Sequence, residues 1–209
     1  MRLKLIFTLF LFVILSCKKQ IESTTPLLHF LPQNASVIIK INNLTKLKSE
    51  LKNNDFLKPL ASTTNYDHVL GRIKALEYVQ SDTSSILAFT EIDSLKSEFI
   101  FTSHKPLIFI DTDKEKSPTI EEVSFEGRTY NRYEVGQNTF FSIELDEHII
   151  LGSSLNLIDA IINNTNQTEI DPILNSLFQT SNFDKSASIY LNLEQSKWMD
   201  DYILKFDST

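Results

Sequence analysis

Between residues 85 and 151 the chain breaks into short apolar-rich runs separated by turn residues, and this rhythm limits the fold more than any other feature of the sequence. The runs are 85–91, 98–103, 107–110, 121–125, 129–135, 139–145 and 148–151. Each has the length of a strand, and such spacing predicts consecutive antiparallel strands. Glu126-Gly127 and Asp146-Glu147 fall where tight hairpin turns are needed, and Gly127 can supply a positive φ.

Helical spacing appears on both sides of this block. A mostly β-branched run at 36–41 leads into a segment capped by Asn42 or Asn43, with Leu44, Leu47 and Leu51 on one stripe. Asp55 can cap a short turn, and Tyr66, Val69, Leu70, Ile73 and Leu76 line one face of a helix predicted over 66–79. After the strands, Ser153 or Ser154 caps a stripe of Leu155, Ile158, Ile161 and Ile162. Asp171-Pro172 then starts a helix through Ile173, Leu174, Leu177 and Phe178. A last strand at 187–193 feeds a helix carrying Trp198, Met199, Tyr202, Ile203 and Phe206. The fold class is α+β: an antiparallel sheet of about six to eight strands, helices packed on one face, and helices at both ends of the chain.

The first residues stand apart from this pattern. Arg2 and Lys4 give a cationic start, residues 5–14 are apolar except for Thr8, and Leu15-Ser16-Cys17 closes the segment. It is shorter than the ~20 apolar residues of a spanning helix and has the parts of a cleavable export signal. It resembles the lipobox of bacterial lipoproteins. That resemblance implies cleavage between Ser16 and Cys17, acylation of Cys17 (palmitate among the chains), and a cell-envelope location. Lys18 rather than Asp follows the cysteine, which by similarity to known sorting signals points to the outer membrane. The organisation is then a signal at 1–16, a lipidated cysteine and tether at 17–33, and a single α+β domain at 34–209. A second repeat module could open near 186, because 35–42 matches 187–194 position by position and both lead into a helix. The arrangement resembles envelope lipoproteins built from α+β modules that open with such a strand–helix unit.

Composition closes several functional classes. With 42% hydrophobic residues and 15 Phe among 209 residues, the chain can bury a core. Its net charge is −7, and removal of Arg2 and Lys4 makes it more acidic. Nucleic-acid phosphates need clustered cations, and anionic lipid repels such a chain, so membrane attachment falls to the acyl chains at Cys17. Cys17 is the single cysteine, so disulfides and thiolate chemistry have no residues in the domain.

Motifs for catalysis are incomplete. Ser49 and Lys52 fit S-x-x-K and Ser154-Leu155-Asn156 fits S-x-N, but no K-T-G or K-S-G strand follows. Asp111, Asp113, Glu115 and Glu122 occupy positions 1, 3, 5 and 12 of a calcium-loop template. Lys116 stands where that loop needs glycine, which leaves only a weak metal candidate. His29, His68, His104 and His148 share no metal-ligand spacing, and four glycines make neither a phosphate loop nor a dinucleotide fingerprint. Tyr130, Tyr133, Phe140, Phe141 and Trp198 could form a sugar-stacking face, but aromatics at strand and helix spacing are more often core. The expectation is a non-catalytic, cofactor-free binding, structural or accessory module of the envelope, with an envelope protein as possible partner and no nucleic acid. The alternatives are an envelope hydrolase with an unidentified carboxylate or Ser/His site, and the N-terminal part of a longer repeat-built lipoprotein.

Overall fold

A computed structural model describes residues 25–53, 76–77, 79–81, 83–93, 96–105, 108–109, 119–135, 138–165, 169–181 and 184–195. The export signal, residues 17–24 of the expected tether, the helix predicted at 66–79 apart from its last residues, and the helix predicted after 193 lie outside them; the rest of the expected tether, 25–33, is corrected to part of the fold, because Leu27, Leu28, Phe30 and Leu31 are buried in the core.

Among the described residues the elements run in chain order α1 (Thr25–Leu28), β1 (Ala35–Ile41), α2 (Leu44–Lys52), β2 (Val79–Gln80), β3 (Ser85–Asp93), β4 (Lys96–His104), β5 (Ile108–Phe109), β6 (Thr119–Phe125), β7 (Arg128–Val135), β8 (Asn138–Leu145), β9 (His148–Gly152), α3 (Leu155–Asn164), α4 (Pro172–Thr180) and β10 (Ala187–Leu191). A 3₁₀ turn follows at Leu193–Gln195. Eight strands make one antiparallel sheet in the order β10-β1-β3-β4-β9-β8-β7-β6, which establishes the α+β class.

Two expectations about the strands are corrected. The runs do not pair consecutively throughout, because β9 inserts beside β4 and carries the hairpins β8, β7 and β6 outward. Residues 108–109 leave the sheet altogether and pair with Val79 and Gln80, so Val79 is strand rather than the end of a helix. The turns are as expected: Glu126 (φ 47°), Gly127 (φ 75°) and Asp146 (φ 49°) all take positive φ, which tight hairpin turns require.

Helices on one face alone are also corrected. Along β1, β3, β4 and β9, side chains alternate between two apolar faces. Ile41, Leu87, Phe99, Phe101 and Leu151 gather with Leu44 of α2, and Leu47 packs against them. On the opposite face Ile38, Ile86 and Ala88 meet Leu27 and Leu28 of α1 and Phe178 of α4. Farther along that face Ile100, Ile143 and Ile150 meet Ile158 and Ile161 of α3. The physical reason is that these strands carry apolar residues at both parities, so neither face can be left in water.

Capping fixes where each helix begins. Asn43 accepts from Lys46 N at 2.7 Å, Ser154 from Leu157 N at 3.1 Å, and Asp171 from Ile173 N at 2.8 Å ahead of Pro172. Ser153, the rival cap, instead accepts from Phe99 N at 3.0 Å. Gly152, at the end of β9, lets α3 approach: a Cβ there would meet Ile100 Cδ1 at 2.9 Å, Ile158 Cγ1 at 3.0 Å and Phe99 O at 3.2 Å. Gly152→Ala should therefore lower stability by about 1–3 kcal/mol through overpacking, read as the shift in urea midpoint.

Candidate functional site

The densest grouping of chemically capable side chains lies where β4 and β9 end together. Their antiparallel register places His104 directly opposite His148, on the face that α3 covers. The two imidazole centroids are 4.8 Å apart, and Phe30, in the segment before β1, lies 5.2 Å from His148. Nε2 of both rings is buried and makes no hydrogen bond among the described residues. Beside the pair, Lys105 Nζ meets Glu144 at 2.7 Å and Lys105 N–H donates to Glu147 O at 2.9 Å. On the other face, Ser103 Oγ shares hydrogen bonds with Ser81 Oγ at 2.8 Å and Thr83 Oγ1 at 3.2 Å.

This seam can sense protons but is poorly placed to act on a substrate. Burial, and next the neighbouring His104, hold the His148 imidazole below its usual pKa, against the opposing pull of Glu147 and Asp146. A general base must reach the proton it takes, and the free nitrogens face protein. A stable metal site needs more ligands than two imidazoles, and no group of three or more His, Cys, Asp or Glu able to hold an ion occurs among the described residues. His29 lies apart from the pair in a recess of about 180 Å³ between the α1–β1 connection and α3. That is smaller than pockets that enclose metabolites, about 300 Å³ and more.

A second polar cluster ties α3 to β7. Arg128 Nη1 donates to Asp159 Oδ1 at 2.5 Å and Tyr130 Oη donates to the same oxygen at 3.1 Å. Asn163 Nδ2 donates to Asp159 Oδ2 at 2.8 Å, while Arg128 Nη2 donates to Asn163 Oδ1 at 2.8 Å. Burial, followed by the bond to Asp159, pushes the Tyr130 phenol up to about 12. Both Asp159 oxygens, the Tyr130 hydroxyl and both Arg128 terminal nitrogens are engaged, which makes the cluster a clamp.

Lys40 forms the third. It is fully buried on β1, donates from Nζ to Phe178 O and to Ser181 Oγ at 2.7 Å each, and lies 5.6 Å from the Phe178 ring centroid. Desolvation lowers its pKa, and its position at the carboxyl end of α4 is where a helix dipole favours a cation.

The residues singled out from the sequence are scattered. Ser16 and Cys17 lie outside the described residues, as do Asp111, Asp113 and Glu115, whereas Glu122 is exposed on β6. Ser49 is exposed on α2, and Ser154 is spent as the α3 cap. Tyr130, Tyr133 and Phe140 are core, as their strand spacing indicated, with Tyr133 Oη bonded to Ser142 Oγ at 3.0 Å. The histidine pair was invisible to a search for short spacings, because only the β4–β9 register brings the rings together. Comparison of the chain with protein families, curated proteins and solved structures gives no match.

Two measurements follow. Asp159→Ala should cost about 2–3 kcal/mol, because it leaves the buried Tyr130 hydroxyl and the Arg128 guanidinium without their acceptor. Tyr130→Phe should cost only about 1 kcal/mol. For His148, a lowered folded pKa means that the unfolded chain takes up its proton first. Its contribution is therefore complete above 6.5 and is lost as pH falls from there through the lower folded value. The urea midpoint should drop between pH about 7.5 and about 5, and His148→Phe should flatten that drop.

Proposed function

We propose that this chain is a lipid-anchored protein of the bacterial cell envelope whose folded part binds or scaffolds rather than catalyses. The observation that carries the anchoring is residues 1–17: a cationic start, an apolar core too short to span, and a small residue before the only cysteine. Acyl chains on Cys17 hold the domain at the membrane, the outer membrane by the similarity of Lys18 to known sorting signals, and residues 18–24 connect it to the fold, which includes the buried Leu27 and Leu28 of α1. No helix among the described residues is long and apolar enough to cross a membrane. The α+β architecture is completed by a helix following β10.

Support for a non-catalytic role comes from how the titratable groups are used. Lys40, Asp159, Arg128 and Tyr130 hold helices against the sheet. His104 and His148 keep their free nitrogens inside the protein. The partner is an envelope component, and neither cofactor nor nucleic acid enters the reading.

Mass spectrometry of the mature N-terminus should find residues 1–16 removed and Cys17 acylated. Cys17→Ser should abolish both palmitate incorporation and cleavage at that bond. An unmodified Cys17 in a soluble periplasmic fraction overturns the anchoring.

A further inference from the structure

Three buried polar atoms lie in one row where β4 and β9 end, and none has a hydrogen-bond partner among the described residues. Thr102 Oγ1 stands two residues before His104 on the same face, and Nε2 of His104 and of His148 complete the row. In a neutral imidazole Nε2 can be the bare nitrogen, and only an acceptor is then wasted. Protonation changes this. Nε2 becomes a buried N–H without an acceptor, on a ring whose centroid lies 4.8 Å from that of its neighbour.

The charged groups nearby do not relieve the pair. Lys105 and Glu144 are taken up by each other at 2.7 Å, and Asp159 of α3 by Arg128 and Tyr130. Asp146 and Glu147, in the turn before β9, favour the charged ring but do not bond its Nε2. The segment that carries Phe30 contributes His29 and no anion.

The elements around the pair differ in what holds them. β4 is laddered to β3 and β9, and β9 to β4 and β8. The α1–β1 connection instead bonds to itself: Phe30 N–H to Leu27 O, Leu31 N–H to Leu28 O and Ala35 N–H to Pro32 O. Among the described residues, side chains alone hold it to the sheet. Leu27, Leu28 and Leu31 join one apolar cluster and Phe30 another, and Phe30 lies 5.2 Å from His148.

We propose that the His104–His148 pair is an acid-operated latch on this segment: protonation loosens Phe30 and lifts residues 25–34 while the sheet stays folded. The part with the fewest bonds to break opens first. The sign agrees with the lowered pKa of His148, since the closed arrangement is complete above 6.5 and is lost as pH falls from there through the lower folded value. Opening uncovers Ile38, Ile86 and Ala88, which α1 otherwise covers. With Cys17 lipidated as proposed above, it also adds 25–34 to the connection between membrane and sheet; that consequence alone rests on the anchor.

Hydrogen exchange of the full chain in mild detergent, corrected for the intrinsic rate at each pH, tests the latch. Protection of 25–34 should fall several-fold between pH about 7.5 and about 5.5, a window above ordinary carboxylate titration, while 128–145 keep theirs. H104F and H148F should each remove most of that fall, and H29Q should leave it. F30A, which leaves the sheet's residues intact, should strip protection from 25–34 at both pH values, with far-UV circular dichroism confirming that the sheet survives. Equal wild-type protection of 25–34 at the two pH values overturns the proposal, as does a loss spread evenly over the sheet. So does a fall that survives in H104F or H148F, a fall that H29Q abolishes, or wild-type protection of 25–34 in F30A.

Discussion

Four strands that are apolar on both faces set the terms for everything else in this structure. Ile39, Leu87, Phe101 and Leu151 form one matched row across β1, β3, β4 and β9, and each has an isoleucine just before it in the chain, Ile38, Ile86, Ile100 and Ile150. Adjacent residues in a strand point opposite ways, so each pair commits its strand to cover above and below. Burying one such side chain contributes about 1.5–3 kcal/mol, and exposing a whole face would forfeit several of these contributions. Every α-helix from α1 to α4 supplies side chains to one of the two faces. Where this requirement lapses, so does the cover: β6 carries Glu121 and Glu122, is largely exposed, and pairs only with β7.

Buried polar groups do the remaining work of orienting the helices. Apolar contact alone is non-directional, and a helix on a flat apolar face can slide or rotate with little penalty. On the face holding three helices, two are fixed by a specific polar contact. Lys40 reaches the last turn of α4 from β1, and Asp159 of α3 receives Arg128 and Tyr130 from β7. Removing either partner would strand a desolvated group, so these contacts specify position more than they add stability. The pKa shifts of Lys40 and Tyr130 are consequences of this burial.

The sequence exposed the elements well and their arrangement less well. Turn residues and alternation located nearly every strand to within two residues, because hairpins are local objects. The caps Asn43, Ser154 and Asp171 were readable for the same reason, a side chain meeting a backbone N–H two or three residues on. What escaped depends on pairing between distant residues. Nothing near His104 announces that β9 rather than β5 will pair with β4, so neither the histidine pair nor the pairing of 79–80 with 108–109 could be seen. The two-sided burial was visible in principle. Val37-Ile38-Ile39 and Ile149-Ile150-Leu151 are continuous apolar runs, the signature of a strand covered on both faces, whereas the grouping of strands between helices suggested cover on one face alone.

The two edges of the sheet handle unpaired backbone differently. An open edge is a template for another strand unless charge, irregularity or cover prevents it. β6 uses charge: Glu121 and Glu122 sit on the edge itself, and Arg132 of β7 engages Glu121 at 2.6 Å and also Glu134. β10 reads Ala-Ser-Ile-Tyr-Leu and has no charge at all. Its inner row is satisfied by β1, and Tyr190 is held by stacking on Phe178 at 4.9 Å, so the strand is rigidly presented rather than frayed. A rigid, neutral, apolar edge cannot be protected by its own residues. Protection of such an edge has to come from something that lies against it rather than from β10 itself.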